Sequence, residues 1–266
     1  MKSKPMSFSR SPELLSARMG FPQDAHEAFD SIRPGHFWFE TRRKILMDIL
    51  RSLTDSSTNR ILEVGCGDGY LVDIFPRGFY VGIDLRLVDL FKARAHGMRW
   101  VIVASGYQIP FHECFDVVCA FDVVEHLDED VAFFTECLRV LTPGGRIVVT
   151  TPASPDLWSK LDDYAGHRRR YTKETLTGAL REAGFGVDTC FPVFRALRPL
   201  ALLNAKIRKV GTVNPSVDFS VNPLTNVVLR FLTALEWRIL GRRRFGLGTS
   251  LCAIARKLRF SLEKGK

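Results

Sequence analysis

No stretch of 18 uninterrupted apolar residues occurs in this 266-residue sequence, so a conventional membrane-crossing helix is not expected. Met1 to Met19 hold Ser, Pro, Lys and Arg without the apolar run of a secretory signal. Cysteine is sparse and unpatterned. The six, at 66, 114, 119, 137, 190 and 252, form no Cys-x-x-Cys pair and no His/Cys cluster at zinc spacing, which argues against a structural metal centre. No metal is expected in the functional site either. Several cysteines sit inside apolar runs and read as small buried hydrophobes, a usage that fits a reducing, cytoplasmic setting. Acidic residues are scarce at one end. Residues 191–266 hold 3 Asp or Glu against 15 Lys or Arg, a net +12, whereas the preceding 190 residues stand at −3. A partner attracted by charge therefore meets the C-terminal part first.

Apolar residues make up 46% and charged residues 25%, the balance of an ordinary globular protein with one sizeable core. After a polar leader over 1–35, expected to be partly disordered, His36 to Leu50 reads as an amphipathic helix with Phe39, Ile45, Leu46, Ile49 and Leu50 at helical spacing. Short β-branched runs follow at Arg60–Val64, Phe79–Ile83, Trp100–Val103, Phe115–Phe121 and Arg146–Thr150. Helix candidates lie between them at Leu87–Ala95 and Asp128–Val140. Such alternation predicts a mostly parallel sheet covered on both faces, which binds small ligands at the carboxyl ends of its strands. Thr172 is placed to cap a further helix that Gly184 ends, and strands are read at Phe185–Phe191 and Ser250–Arg256. The α/β domain thus spans 36–191. Residues 192–248 form an apolar and basic cap, helical around Pro199–Lys209 and Leu224–Leu240, and 249–266 return the chain to the sheet before a basic tail.

The first strand runs into Gly65-x-Gly67-x-Gly69, a turn that lets backbone approach a ligand closely. Asp84, at the end of the second strand, can accept both hydroxyls of a ribose. A nicotinamide fingerprint is disfavoured because only one residue, not two, precedes the third glycine. Asp68, between glycines that already set the turn, reads as an exposed turn residue.

The whole order Glu63-Val-Gly-Cys-Gly-Asp-Gly69, Gly82-Ile-Asp84, Ile109-Pro-Phe111, Phe115-Asp-Val-Val118, Phe121-Asp-Val-Val-Glu-His-Leu127, Leu141-Thr-Pro-Gly-Gly145 and Thr150-Thr-Pro152 resembles the class I S-adenosylmethionine-dependent methyltransferases. It is similar in particular to their small-molecule branch, which includes the ubiquinone-type O-methyltransferases. The resemblance covers about half the chain. It implies a doubly wound α/β fold with a seven-stranded sheet of order 3-2-1-4-5-7-6, strand 7 antiparallel, and a helical insertion before the last strand.

By the same resemblance, Gly65, Gly67 and Gly69 contact the methionine part of the cofactor, Asp84 binds the ribose, Ser105 lies near the adenine, and Phe121 offers backbone near the amino-acid portion. Glu63 either touches the cofactor through the loop or orders that loop as a structural carboxylate. Trp38 and Arg43, on an N-terminal lid helix, are candidates to cover the pocket and to meet the methionine carboxylate. Trp38 and Tyr70 could also face the sulfonium.

For a phenol or alcohol acceptor, His126 is the candidate general base. His167 and Tyr171, in a segment similar to the family's His-x-x-x-Tyr, are candidates for the acceptor side. Arg168 to Arg170 read either as a solvated surface or as a clamp for an anionic group. The cap reads as packing and lid, as a seat for a lipid-like acceptor with peripheral membrane contact, or as a macromolecular contact. A nucleic-acid substrate is disfavoured, because no RNA-binding module and no Asn-Pro-Pro-Tyr or Asp-Pro-Pro-Tyr segment is present.

Overall fold

A computed structural model describes residues 30–54, 60–76, 78–207, 213–214, 218 and 220–259. Most of the leader, Lys209 of the cap and the last seven residues lie outside that set.

Helix α1 (Phe37–Leu53) precedes strand β1 (Arg60–Val64), and β2 (Phe79–Asp84), α2 (Leu87–Ala95) and β3 (Trp100–Val103) build one half of the sheet. The other half is β4 (Phe115–Phe121), α3 (Asp130–Val140), β5 (Leu141–Pro152), α4 (Lys160–Ala165), α5 (Lys173–Glu182) and β6 (Phe185–Val193). Helices α6 (Arg198–Ile207) and α7 (Pro223–Leu240) form the insertion, and β7 (Ser250–Lys257) closes the chain. The sheet has seven strands in the order β3-β2-β1-β4-β5-β7-β6, the order expected from the resemblance. β7 runs antiparallel to both neighbours, pairing Val148 with Ile254 and Phe191 with Cys252.

Strand alternation explains the two-sided core. In β4, Val118 and Ala120 face one apolar layer, with Phe133, Phe134 and Cys137 of α3 and Leu176 and Leu180 of α5. Val117, Cys119 and Phe121 face the other, with Ile45, Leu46, Ile49 and Leu50 of α1 and Leu90 of α2. Truncating a fully buried Leu such as Leu62 or Leu46 costs about 2–5 kcal/mol because the surroundings only partly close the cavity. All strands except β7 end at the same edge, so the loops after β1, β2, β4, β5 and β6 meet there. Among the described residues, no helix is long and apolar enough to cross a membrane.

Candidate active site

At that carboxyl edge the chain leaves β1 through Gly65, Gly67 and Gly69, with φ of +73°, +53° and +72°. A side chain at Gly65 would come within 2.5 Å of Val123, and one at Gly69 within 2.9 Å of the Ala93 backbone. These two glycines permit close packing against the loop after β4 and against α2. Nothing lies within 4 Å of the place a Gly67 side chain would take, so its backbone borders open space. Gly65 and Gly67 line a cleft with Asp84, Ser105, Asp122 and His126, whereas Gly69 is outside its walls.

The Asp84 carboxylate accepts the Gly67 and Arg86 backbone N–H groups, each at 2.9 Å. Burial raises its pKa in spite of those bonds. Ser105 Oγ accepts from the Tyr107 N–H at 3.2 Å, which folds the loop after β3 against the cleft.

The N-terminal helix supplies its arginine from the inner face. Phe39, Arg42, Leu46 and Ile49 recur at spacings of three and four and are all buried. Arg42 Nη2 lies 2.8 Å from Asp122 Oδ2, and its guanidinium also bonds the Tyr70 hydroxyl. It sits 5.3 Å from the Trp38 ring centroid and 5.9 Å from those of Tyr70 and Phe121. Burial alone would lower its pKa, but Asp122 and the other nearby groups more than offset this, so it stays charged. Asp122 has φ +57°, an uncommon conformation for a side-chain-bearing residue, and accepts from Thr150 Oγ1 at 3.2 Å. Its side chain borders both the cleft and a small cavity lined by Ile45, Leu46, Val193, Phe194 and Leu251.

Arg43 points the other way. Its Nε donates to Asp73 Oδ1 at 3.0 Å on the outer side of α1, away from the cleft. Glu63 is buried beneath the glycine turn, where it accepts from the Tyr80 hydroxyl. Burial pushes its pKa up to about 8. Trp38 stacks on Phe194 and Phe121 packs under Arg42, and neither side chain lines the cleft. Asp68 is buried rather than exposed, and ion-paired with Arg33.

His126 lines the same cleft as Asp84, with a buried Nδ1 that has no hydrogen-bond partner. Burial and the neighbouring His167 depress its pKa to about 4, so the imidazole is neutral at ordinary pH. The His167 ring packs edge-on against it at 4.9 Å, and His167 Nδ1 is held by Asp162 at 2.9 Å. Asp162 also takes Arg170 Nε at 2.7 Å; although burial opposes it, His167 and Arg170 draw its pKa down to about 2. Tyr171 is buried in the core and donates to Asp130 at 2.8 Å, tying the loop after β5 to α3. Arg168, Arg169 and Arg170 are all in ion pairs, with Asp128, Asp130 and Asp162. Glu125, His126 and His167 bring one potential ligand atom each within 4.8 Å of one another.

The cleft thus gathers Gly65, Gly67, Asp84, Ser105 and His126, with His167 against His126. Glu63, Trp38, Phe121 and Tyr171 lie in the packing around it, and Gly69 and Arg43 lie behind it. Sequence reasoning missed Arg42 and Asp122. The helical phase of Phe39, Leu46 and Ile49 contained the signal for Arg42, and nothing in the pattern marked Asp122 beyond its place directly after β4.

A methyltransferase-domain family profile matches residues 37–189, more than half of the chain. Over 196 residues the chain is 30% identical to a probable S-adenosylmethionine-dependent methyltransferase of Mycolicibacterium smegmatis, covering 70% of this chain and 73% of that one. It is 34% identical over 108 residues to a ubiquinone biosynthesis O-methyltransferase of Bradyrhizobium, covering 38% of this chain and spanning 43% of that relative. Among solved structures, geranyl diphosphate C-methyltransferase from Streptomyces coelicolor shares the fold at TM-score 0.53 and 13% identity, with 80% and 78% of the two chains covered. The cyclase SpnF does so at 0.52 and 21%, with 80% and 81% covered, so the fold alone does not fix the chemistry. The family match across the sheet and its glycine turn carries the assignment: the chain belongs to the class I S-adenosylmethionine-dependent methyltransferases.

Proposed function

We propose that this enzyme methylates a small, largely apolar acceptor whose proton is taken by His126. The observation that carries the reading is that the partnerless Nδ1 of His126 belongs to a residue in the same cleft as Gly65, Gly67 and Asp84. S-adenosylmethionine supplies, when bound, a sulfonium methyl that is already activated. The open space over Gly67 and the cleft-facing carboxylate of Asp84 fit a nucleoside-bearing ligand. Asp84 would hold its ribose hydroxyls and Ser105 would lie by its adenine. The Arg42–Asp122 ion pair matches the two charges of an amino-acid group, so Arg42, rather than Arg43, would hold the carboxylate and Asp122 the ammonium.

On the acceptor side the imidazole of His126 is unprotonated and would accept the proton only as it leaves the acceptor, and His167, locked by Asp162, fixes the ring against which His126 packs. Tyr171 acts by holding the loop in place. The cavity bounded by Ile45, Val193, Phe194 and Leu251 beside Asp122 holds only about 20 Å³, room for a water-sized apolar group at the edge of the acceptor rather than for the acceptor itself. Arg170 is locked on buried Asp162 while Arg168 and Arg169 pair with Asp128 and Asp130, so a strongly anionic acceptor would have to displace those carboxylates.

Calorimetric titration of S-adenosylhomocysteine into the wild type and Asp84→Ala, followed by a library of phenolic, alcoholic and amine acceptors, tests the reading. Expected are tight binding by the wild type, weakening by about 10- to 100-fold in the variant, and turnover of an apolar library member. A folded wild type that binds no S-adenosylhomocysteine overturns it.

A further inference from the structure

Helix α7 turns the larger share of its apolar residues outward. A helix that covers a core turns its apolar stripe inward. The inward face of α7 lays only Leu229 and Trp237 against the core and is otherwise held by polar contacts. Asn226 accepts the Phe37 N–H at 2.8 Å and donates to the Gly35 carbonyl at 2.8 Å. Thr233 meets Thr41 at 2.9 Å, and Trp237 Nε1 donates to Asp48 at 2.8 Å. On the opposite side Leu224, Val227, Val228, Phe231, Leu235 and Ile239 recur at spacings of three and four and are all exposed, Leu224 at 76% and Phe231 at 64%. Isolated exposed apolar residues are ordinary, but a six-membered stripe along one helix is a contact surface awaiting an apolar neighbour.

Charge identifies that neighbour. The one acid of α7, Glu236, faces inward and accepts the backbone N–H groups of Arg195 and Ala196 at 2.9 and 2.8 Å. Arg230 and Arg238 of the helix and Arg243 beyond it are exposed. Neighbouring Arg242 and Arg244 tie the helix end to the body, through Ser52 and the Asp48 carbonyl and through Thr189 and the Asp188 carbonyl. The outer face is therefore apolar and carries only positive charge. Two copies meeting through it would bring arginines together with no carboxylate of the helix to pair them.

We propose that α7 docks on an anionic lipid bilayer, its apolar stripe at the acyl boundary and its arginines among the headgroups. Glu236 fastens the same helix to the turn that follows Phe194, a residue of the cavity beside Asp122, so the docked surface adjoins the carboxyl edge of the sheet. A bilayer-borne acceptor would reach that edge without crossing water. The docking itself does not rest on the acceptor assignment.

The test is cosedimentation with vesicles of phosphatidylcholine alone and of phosphatidylcholine with one quarter phosphatidylglycerol, at low and high salt. Expected is at least about tenfold stronger binding to the anionic vesicles at low salt, falling as salt rises. Val227→Ser/Phe231→Ser should lower binding about tenfold or more, with S-adenosylhomocysteine affinity and thermal midpoint unchanged, because both positions are exposed. Arg230→Gln/Arg238→Gln should remove the preference for anionic lipid. Equal binding of wild type and the double-serine variant, or no vesicle binding by the wild type, overturns the proposal. A dimer in sedimentation equilibrium that the double-serine variant dissociates, without vesicle binding, would reassign the face to a second copy. Vesicle and S-adenosylhomocysteine binding are read separately, so either can fail alone.

Discussion

Arg42 and Asp122 form a largely buried ion pair at 2.8 Å across the carboxyl edge of the sheet, one from the N-terminal helix and the other from the turn after β4. Removing one member leaves the other charge uncompensated. Arg42→Met is expected to cost about 3–5 kcal/mol of stability, whereas Arg43→Ala, which removes a half-exposed pair with Asp73, costs about 1 kcal/mol or less. Thermal melts distinguish them. A mild Arg42→Met phenotype together with a severe Arg43→Ala one would sink the assignment of roles.

The glycines of the turn separate in the same way. Gly69→Ala would push a methyl group to 2.9 Å from the Ala93 backbone, so it should lower the thermal midpoint. Gly67→Ala meets no protein atom within 4 Å and bears only the cost of its positive φ, about 1 kcal/mol, but intrudes on the cleft. Its larger effect should be on S-adenosylhomocysteine affinity. Equal losses of affinity and stability in both variants would contradict the division.

Glu63 makes a pH prediction. Its folded pKa, about 8, lies above the usual value, because burial favours the neutral acid. The folded state therefore holds a proton that the unfolded state has released between about pH 4.5 and 8. Its contribution to stability is present below that window and is lost as pH rises through it. Glu63→Gln, which imitates the neutral acid, should flatten the decline. Denaturant melts of both proteins across that range would show it, and parallel slopes would count against it.

His126→Gln should lower turnover by about 10²- to 10⁴-fold with S-adenosylhomocysteine binding little changed. With its pKa depressed to about 4, the wild-type acid limb should fall well below the usual histidine range of about 6.5. Dialysis against a chelator should leave turnover intact. Loss of activity restored by zinc, with one equivalent bound, would instead make Glu125, His126 and His167 ligands.

The elements that place the site were legible because each carries its own period or punctuation. β4 alternates between two apolar layers, and Thr172 caps α5 by accepting the Thr175 N–H. The glycine turn and Asp84 were legible for the same local reason. Arg42 and Arg43 are adjacent, and composition treats them alike; only the 100° between them on α1 sends one inward and the other to Asp73. Tyr171 illustrates the opposite limit. A tyrosine at the mouth of a site and one that pins a loop to Asp130 have the same local sequence, and only tertiary packing separates them.

Asp122, Ser154 and Phe194 are the non-glycine residues with positive φ among those described, and they follow β4, β5 and β6 at the carboxyl edge. Left-handed turns at the opposite edge fall to Gly97, Gly144 and Gly184, which adopt them without strain. A designer seeking a hardier protein would find the three strained positions inviting, since glycine there relieves local strain at some cost in unfolded-chain entropy. Yet each would also surrender a side chain that ties the carboxyl edge together: the partner of Arg42, the hydroxyl that holds the Gly248 carbonyl, or the ring stacked on Trp38. With the proposed site at this margin of the sheet, robustness and catalytic competence would be set against each other there, and attempts to harden the molecule belong at the other.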